Sequence, residues 1–203
     1  MNGCKNNHST EVKASFRDSM MTTTYQQYDQ AVSVCSDVFL KKTIDYGTSW
    51  RVLRTISVVD QIYIKAKRIR TIQENGTRAV ADDITSEFKG IVNYSVIGLI
   101  QCRLSTSEAQ DLPVEKVTDL YSAVIAEAKQ LMQSKNHDYG EAWRDMSQES
   151  YTDLILSKLL RIRQILSNSG RTLISEGIEA NYYDIINYAL FALIMISEGR
   201  HSS

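Results

Sequence analysis

The chain has 203 residues, 9 Gly, a single Pro and a formal net charge of −1. Its 23 basic and 24 acidic residues nearly cancel, so no global field draws it to nucleic acid or to a membrane surface. A hydrophobic share of 43% is enough for a core and excludes wholesale disorder, and the scarcity of Pro and Gly argues against turn-rich sandwiches, barrels and linker-like chains.

Residues 1–20 are polar and lack a helical stripe, which predicts a disordered N-terminal tail. From residue 21 onward the chain repeats itself. Asp45-Tyr46-Gly47 returns 93 residues later as Asp138-Tyr139-Gly140. At that offset Lys42 matches Lys135, Trp50-Arg51 matches Trp143-Arg144, and Asp60 matches Asp153. Lys65 matches Lys158, and Arg68-Ile69-Arg70 matches Arg161-Ile162-Arg163. One residue is inserted near Ser169, after which Asn93-Tyr94 pairs with Asn187-Tyr188. The first repeat therefore covers residues 21–110, the second 111–198, and 199–203 form a C-terminal tail.

Each repeat reads as three helices. The first spans residues 26–42 or 113–134, with Val32, Cys35 and Phe39 answered by Ile125, Ala128 and Met132. Asp111 and Pro113 mark the start of the second copy. The second helix spans 58–73 or 151–167, and Asp60 and Asp153 are expected to cap it. The third spans 82–102 or 175–197. It ends in a run such as Ala189-Leu190-Phe191-Ala192-Leu193-Ile194, apolar nearly all round, as in the middle of a bundle. Such a unit cannot cover its own apolar helix. The fold class is all-α: a tandem repeat of two three-helix units packed as an intramolecular pseudo-dimeric bundle.

Three cysteines, Cys4, Cys35 and Cys102, are odd in number and form no Cys-x-x-Cys, so neither a disulfide framework nor a zinc site is expected. Cys35 and Cys102 are read as core thiols and Cys4 as a tail thiol. His8, His137 and His201 show no metal-ligand spacing. No apolar run reaches about 18 residues, and residues 1–17 hold no signal-peptide core, so a cytoplasmic location is expected.

Polar residues kept in both repeats are the functional candidates. Lys65 with Arg68, and Lys158 with Arg161, share one helix face and suit phosphate oxygens. Gly47 and Gly140 suit a left-handed turn past a helix end. Trp50 and Trp143 serve either as core plugs or as platforms for a base, with Asp45, Tyr46, Asn93 and their counterparts Asp138, Tyr139, Asn187 beside them. The third helices share an acidic half-motif. Glu87 faces Asn181 in the alignment and Gly90 faces Asp184, so each copy keeps one half of a Glu-x-x-Asp pair. Together Glu87 and Asp184 would make a Mg²⁺ site if they met across the pseudo-dyad.

The run Lys135–Trp143, the Lys158/Arg161 helix and Asp184-Ile185-Ile186-Asn187-Tyr188-Ala189 resemble the nucleotide-modification-associated domain 1 family of bacteria and phages, in its two-copy bacterial form. That resemblance implies a link to nucleotide or nucleic-acid modification. The Asp-x-x-Asn-Tyr helix is also similar, more distantly, to the all-α nucleoside triphosphate pyrophosphohydrolases of the MazG type. Those enzymes bind Mg²⁺ through Glu-x-x-Glu and Glu-x-x-Asp helices. Here Asn181 and Gly90 replace one acid in each copy, and no Glu-Glu-x-x-Glu segment precedes them.

The resulting expectation is a nucleotide-binding helical protein. In its catalytic form Glu87 and Asp184 hold Mg²⁺, and the Lys/Arg pairs offset charge on a phosphoester undergoing hydrolysis. The alternative is a non-catalytic module that binds a nucleotide or modified base beside a modifying enzyme. The expected partner is a small nucleotide. Net charge gives no support to nucleic acid, and association of two chains into a homodimer stays open.

Overall fold

The computed structural model describes residues 6–76, 83–104, 110–171 and 177–202, with side chains from residue 23 on. Among these there are six α-helices, two 3-10 turns and no strands. The helices are α1 (Asn6–Tyr46), α2 (Thr55–Asn75), α3 (Ile84–Arg103), α4 (Val114–Tyr139), α5 (Gln148–Ser167) and α6 (Ile178–Ser197). Each repeat is thus helix, 3-10 turn, helix, helix; the 3-10 turns, Ser49–Val52 and Ala142–Asp145, carry the two tryptophans.

The all-α expectation holds, and the helix boundaries differ mainly at one end. Helix α1 begins at Asn6, well before residue 26, so most of the segment expected to be a disordered tail is helical backbone. Residues 6–20 contain no Pro or Gly to break a helix, whereas the expected start followed the onset of the apolar stripe. Residues 1–5, Cys4 among them, lie outside the described residues. The C-terminal tail folds back: Arg200 donates to the Arg144 carbonyl at 2.8 Å and Gln148 to that of Ser202 at 2.6 Å.

Helices α2, α3, α5 and α6 form a four-helix centre in which α3 packs on α6 and α2 on α5, each contact joining the two repeats. Helices α1 and α4 lie against α3 and α6 and against each other. This satisfies the apolar third helices: Ile91, Val92, Val96, Leu99 and Ile100 of α3, and Ile185, Ile186, Ala189, Leu190 and Ile194 of α6, are all essentially inaccessible. Full burial of each such side chain contributes about 1.5–3 kcal/mol.

Two pairs of polar interactions cross between the repeats. Asn93 on α3 donates to the Cys35 carbonyl of α1 at 3.0 Å and accepts from the Tyr121 hydroxyl of α4 at 2.9 Å. Its counterpart Asn187 on α6 donates to the Ala128 carbonyl of α4 at 3.1 Å and accepts from the Tyr28 hydroxyl of α1 at 2.8 Å. The second pair lies on the surface, where Arg163 reaches Asp60 at 2.6 Å and Arg70 reaches Asp153. Asp60 and Asp153 are therefore not caps. Their helices begin at Thr55 and Gln148, and the carboxylates stand a turn further in, facing the other repeat's arginine. The cap of α5 is Ser147, whose side chain accepts from the Ser150 backbone.

Of the two described thiols, Cys35 is buried as expected, and burial pushes its pKa up to about 12. Cys102 is exposed, contrary to expectation, because it falls in the last turn of α3 where the core ends.

Burial likewise holds the Tyr28 and Tyr121 phenols far above the ordinary value of about 10. Their unfolded forms release protons first, so the stability they contribute is complete below pH about 10 and falls as pH rises beyond it. A pH series of urea melts should show alkaline destabilisation, and Tyr28→Phe or Tyr121→Phe should each cost about 1–3 kcal/mol at neutral pH by leaving an asparagine oxygen unpaired. Unchanged urea midpoints in both variants would contradict this.

Candidate functional site

Each repeat builds a cleft from the same parts. The first helix ends in Asp-Tyr, and Gly47 (φ 59°) or Gly140 (φ 64°) follows it with the positive φ that favours glycine, although Gly140, at ψ −153°, lies outside the left-handed helical turn expected there. The chain then turns into the short 3-10 segment that tucks the tryptophan under the third helix. Trp50 is 9% exposed and Trp143 7%. Both indole N–H groups are buried without a hydrogen-bond partner among the described residues.

In the first repeat this arrangement encloses a cleft of about 760 Å³. Phe39, Lys42 and Tyr46 of α1, Trp50, Lys65 of α2, and Glu87, Lys89 and Gly90 of α3 line it. In the second repeat the matching residues, including Met132, Lys135, Tyr139, Trp143, Asp184 and Phe191, line only about 130 Å³. Two substitutions on the third helix account for the difference. Where α3 has Ile97, α6 has Phe191, whose ring stacks on Trp143 with centroids 4.3 Å apart and planes 6° from parallel. Where α3 has Gly90, α6 has Asp184, whose carboxylate takes the ammonium of Lys135 at 2.6 Å and that of Lys158. The second cleft is therefore filled and neutralised by its own side chains, and the first is open.

The open cleft is also cationic. Lys42, Lys65 and Lys89 line it against one carboxylate, Glu87. Glu87 is itself held on α2, with Lys65 at 3.1 Å from Oε2 and Arg68 on Oε1. Lys42 and Lys89 have no acidic partner among the described residues. Gly90 leaves room for Lys65 to pass: a Cβ there would stand 2.7 Å from the lysine Cε, so the flexible end of that side chain would have to shift.

The sequence candidates separate in space. Lys65, Tyr46, Trp50 and Asn93 meet in the first cleft, and Tyr139, Trp143 and Asn187 in the second. Lys158 and Arg68 stand at their margins as partners of Asp184 and Glu87. Asp45, Asp138 and Arg161 are exposed and line neither cleft. Asn93 and Asn187 each spend an amide donor and the side-chain oxygen on the internal bonds described above. Their repetition thus has a structural cause.

Glu87 and Asp184 line different clefts and share no partner. Both oxygens of each carboxylate already face a cation. No group of three or more His, Cys, Asp or Glu suited to a metal occurs among the described residues. A hard divalent cation seeks several anionic or neutral oxygens, and a carboxylate flanked by two ammonium or guanidinium groups repels it. These residues do not fit a composite Mg²⁺ site.

The profile of the nucleotide modification associated domain 1 family matches residues 42–102 and 135–196. The chain belongs to that family. Its two matched regions run from Lys42 to Cys102 and from Lys135 to Ile196, so each takes in most of its cleft's lining and the second and third helices of its repeat. No curated protein and no solved structure matches the chain.

Some cleft-lining residues carry little signal in the sequence. Lys42 and Lys135 were visible as a matched pair, but only the fold brings them beside Lys65 and Lys158. Lys89 has no cationic counterpart, since Tyr183 stands at its position, so repeat matching passes over it. The Ile97/Phe191 difference lay inside an apolar run and carried no polar signal.

Titrating Mg²⁺ into the protein should leave its melting temperature unchanged. Glu87→Gln should lower stability by about 1–2 kcal/mol, since its partly exposed cations are screened. A Mg²⁺-dependent rise in melting temperature abolished by Glu87→Gln would restore the metal site.

Proposed function

We propose that the protein is a nucleotide-binding module, with the first-repeat cleft as its ligand site and no resident metal. The observation that carries this reading is the contrast between the clefts: the same scaffold stands open and cationic in one repeat, and is plugged and neutralised in the other. An open cleft lined by Phe39, Tyr46 and Trp50 together with Lys42, Lys65 and Lys89 combines aromatic surface with ammonium groups suited to phosphate. That pairing suits a flat base joined to a phosphate. Membership of a family described as nucleotide modification associated is consistent with such a ligand.

The hydrolytic form of the expectation receives less support. Phosphoester hydrolysis by metal-activated water needs anionic ligands free to hold the ion, and Glu87 and Asp184 are each committed to two cations. Binding by ammonium groups alone stabilises a ground-state phosphate and provides no base for water. The reading is therefore of recognition rather than turnover.

Calorimetric titration of the full chain with nucleoside mono-, di- and triphosphates, in EDTA and in Mg²⁺, tests this. One site per chain is expected, with affinity maintained in EDTA and no product formed. Lys42→Ala and Lys89→Ala should each weaken binding about tenfold, the loss of one charge-assisted contact. No binding by any nucleotide would overturn the reading. Binding that requires Mg²⁺ and releases product would return the assignment to a hydrolase.

A further inference from the structure

The second cleft contains more than a plug. Asp184 brings an anion between Lys135 and Lys158, and Phe191 lays a planar ring on Trp143. The first cleft presents the equivalents of every one of those receiving groups, Lys42, Lys65 and Trp50, and lacks both occupants, having Gly90 and Ile97 instead. We propose that the side chains of Asp184 and Phe191 are an internal image of the ligand, so that the first cleft binds one molecule through an anionic group between Lys42 and Lys65 and a planar ring stacked on Trp50.

The geometry sets what that molecule must be. Asp184 and Phe191 lie seven residues apart on α6, as Gly90 and Ile97 do on α3, hence on one helix face with about 10 Å of rise between them. Both features must belong to a single ligand to fill the cleft: an aromatic ring system and, about two helical turns away, an anion. A nucleotide has both. A free base or nucleoside lacks the anion, and inorganic phosphate lacks the ring. The inference rests on the nucleotide reading above and adds where each part of the ligand sits.

The local physics agrees. A carboxylate between two lysines and a phosphate oxygen between two lysines are alike in charge and hydrogen-bond geometry. Stacking at 4.3 Å is available to any flat ring. In the second repeat these contacts are intramolecular and cost no binding entropy, so an external ligand cannot compete for them. In the first repeat Lys65 turns to Glu87 at 3.1 Å, and Lys42 has no acidic partner among the described residues. The lysines are thus held near the place an incoming anion would occupy.

Grafting the image tests the inference. Gly90→Asp adds the carboxylate; its Cβ meets only the flexible end of Lys65, which can shift. Ile97→Phe adds the ring. The reverse double variant, Asp184→Ala with Phe191→Ile, opens the second cleft. Calorimetry would use ribo- and deoxyribonucleoside diphosphates, the matching nucleosides and inorganic phosphate as probes, with circular dichroism to verify folding. Wild type should bind diphosphates one to one, and nucleosides and phosphate more weakly by about tenfold or more. Each graft should lower diphosphate affinity by about tenfold or more, Gly90→Asp through the anion and Ile97→Phe through the ring. The opened variant should bind two diphosphates per chain. Should it fail to fold, the two grafts decide alone. Diphosphate binding that both grafts leave intact, or an opened variant that keeps one site, would overturn the image while sparing the nucleotide reading. A wild type that binds no nucleotide would overturn the reading itself.

Discussion

Two buried amides organise this protein. Asn93 and Asn187 stand on the two central helices, and each joins its own repeat's first helix, through a backbone carbonyl, to a tyrosine hydroxyl from the other repeat. In a core otherwise built of Ile, Val, Leu and Ala, apolar packing alone tolerates sliding of one helix along another. An amide that must satisfy both its donor and its acceptor away from water does not. The pair fixes where α1 and α4 cross α3 and α6, and so where the lysine and aromatic residues at the ends of α1 and α4 face the third helices. Both clefts depend on that crossing.

Once the scaffold is set, the two clefts differ by asymmetric substitution. A perfect repeat would have two equal clefts. Here one keeps an opening of about 760 Å³ with three lysines, and the other collapses to about 130 Å³ around an internal ion triad and a stacked ring pair. The closed copy supplies rigidity beside the open one: Arg144, the counterpart of Arg51, lies 4.3 Å over the Trp143 ring and also reaches Gln27 of α1 at 2.6 Å and Glu198 at 2.9 Å. One repeat is closed by its own side chains, and its sibling stays open.

The surface ion pairs show how a repeated identity can mislead. Asp60 and Asp153 sit near helix starts, where an acid is favourable for helix-dipole reasons, and capping was a sound local account of them. Their real partners, Arg163 and Arg70, lie in the opposite repeat. Glu87 and Asp184 mislead in the opposite way, since their partners lie in their own repeats. A half-motif in each copy invited a composite metal site, but the twofold relation puts equivalent positions in equivalent clefts rather than in one.

The amino-acid sequence by itself determined the all-α class, the two-copy organisation, the buried third helices and the positive-φ glycines Gly47 and Gly140 past the first helices, because periodicity, internal matching and turn chemistry are local or pairwise properties of the chain. It also marked the residues that matter, among them Lys65, Trp50, Asn93, Glu87 and Asp184. It did not assign their roles. Which lysine meets which carboxylate, that Asn93 and Asn187 serve the core, and that Phe191 closes one cleft while Ile97 leaves the other open were decided by tertiary structure. Those facts depend on which helix crosses which across the pseudo-dyad, and residues far apart in the chain meet only after that crossing is made.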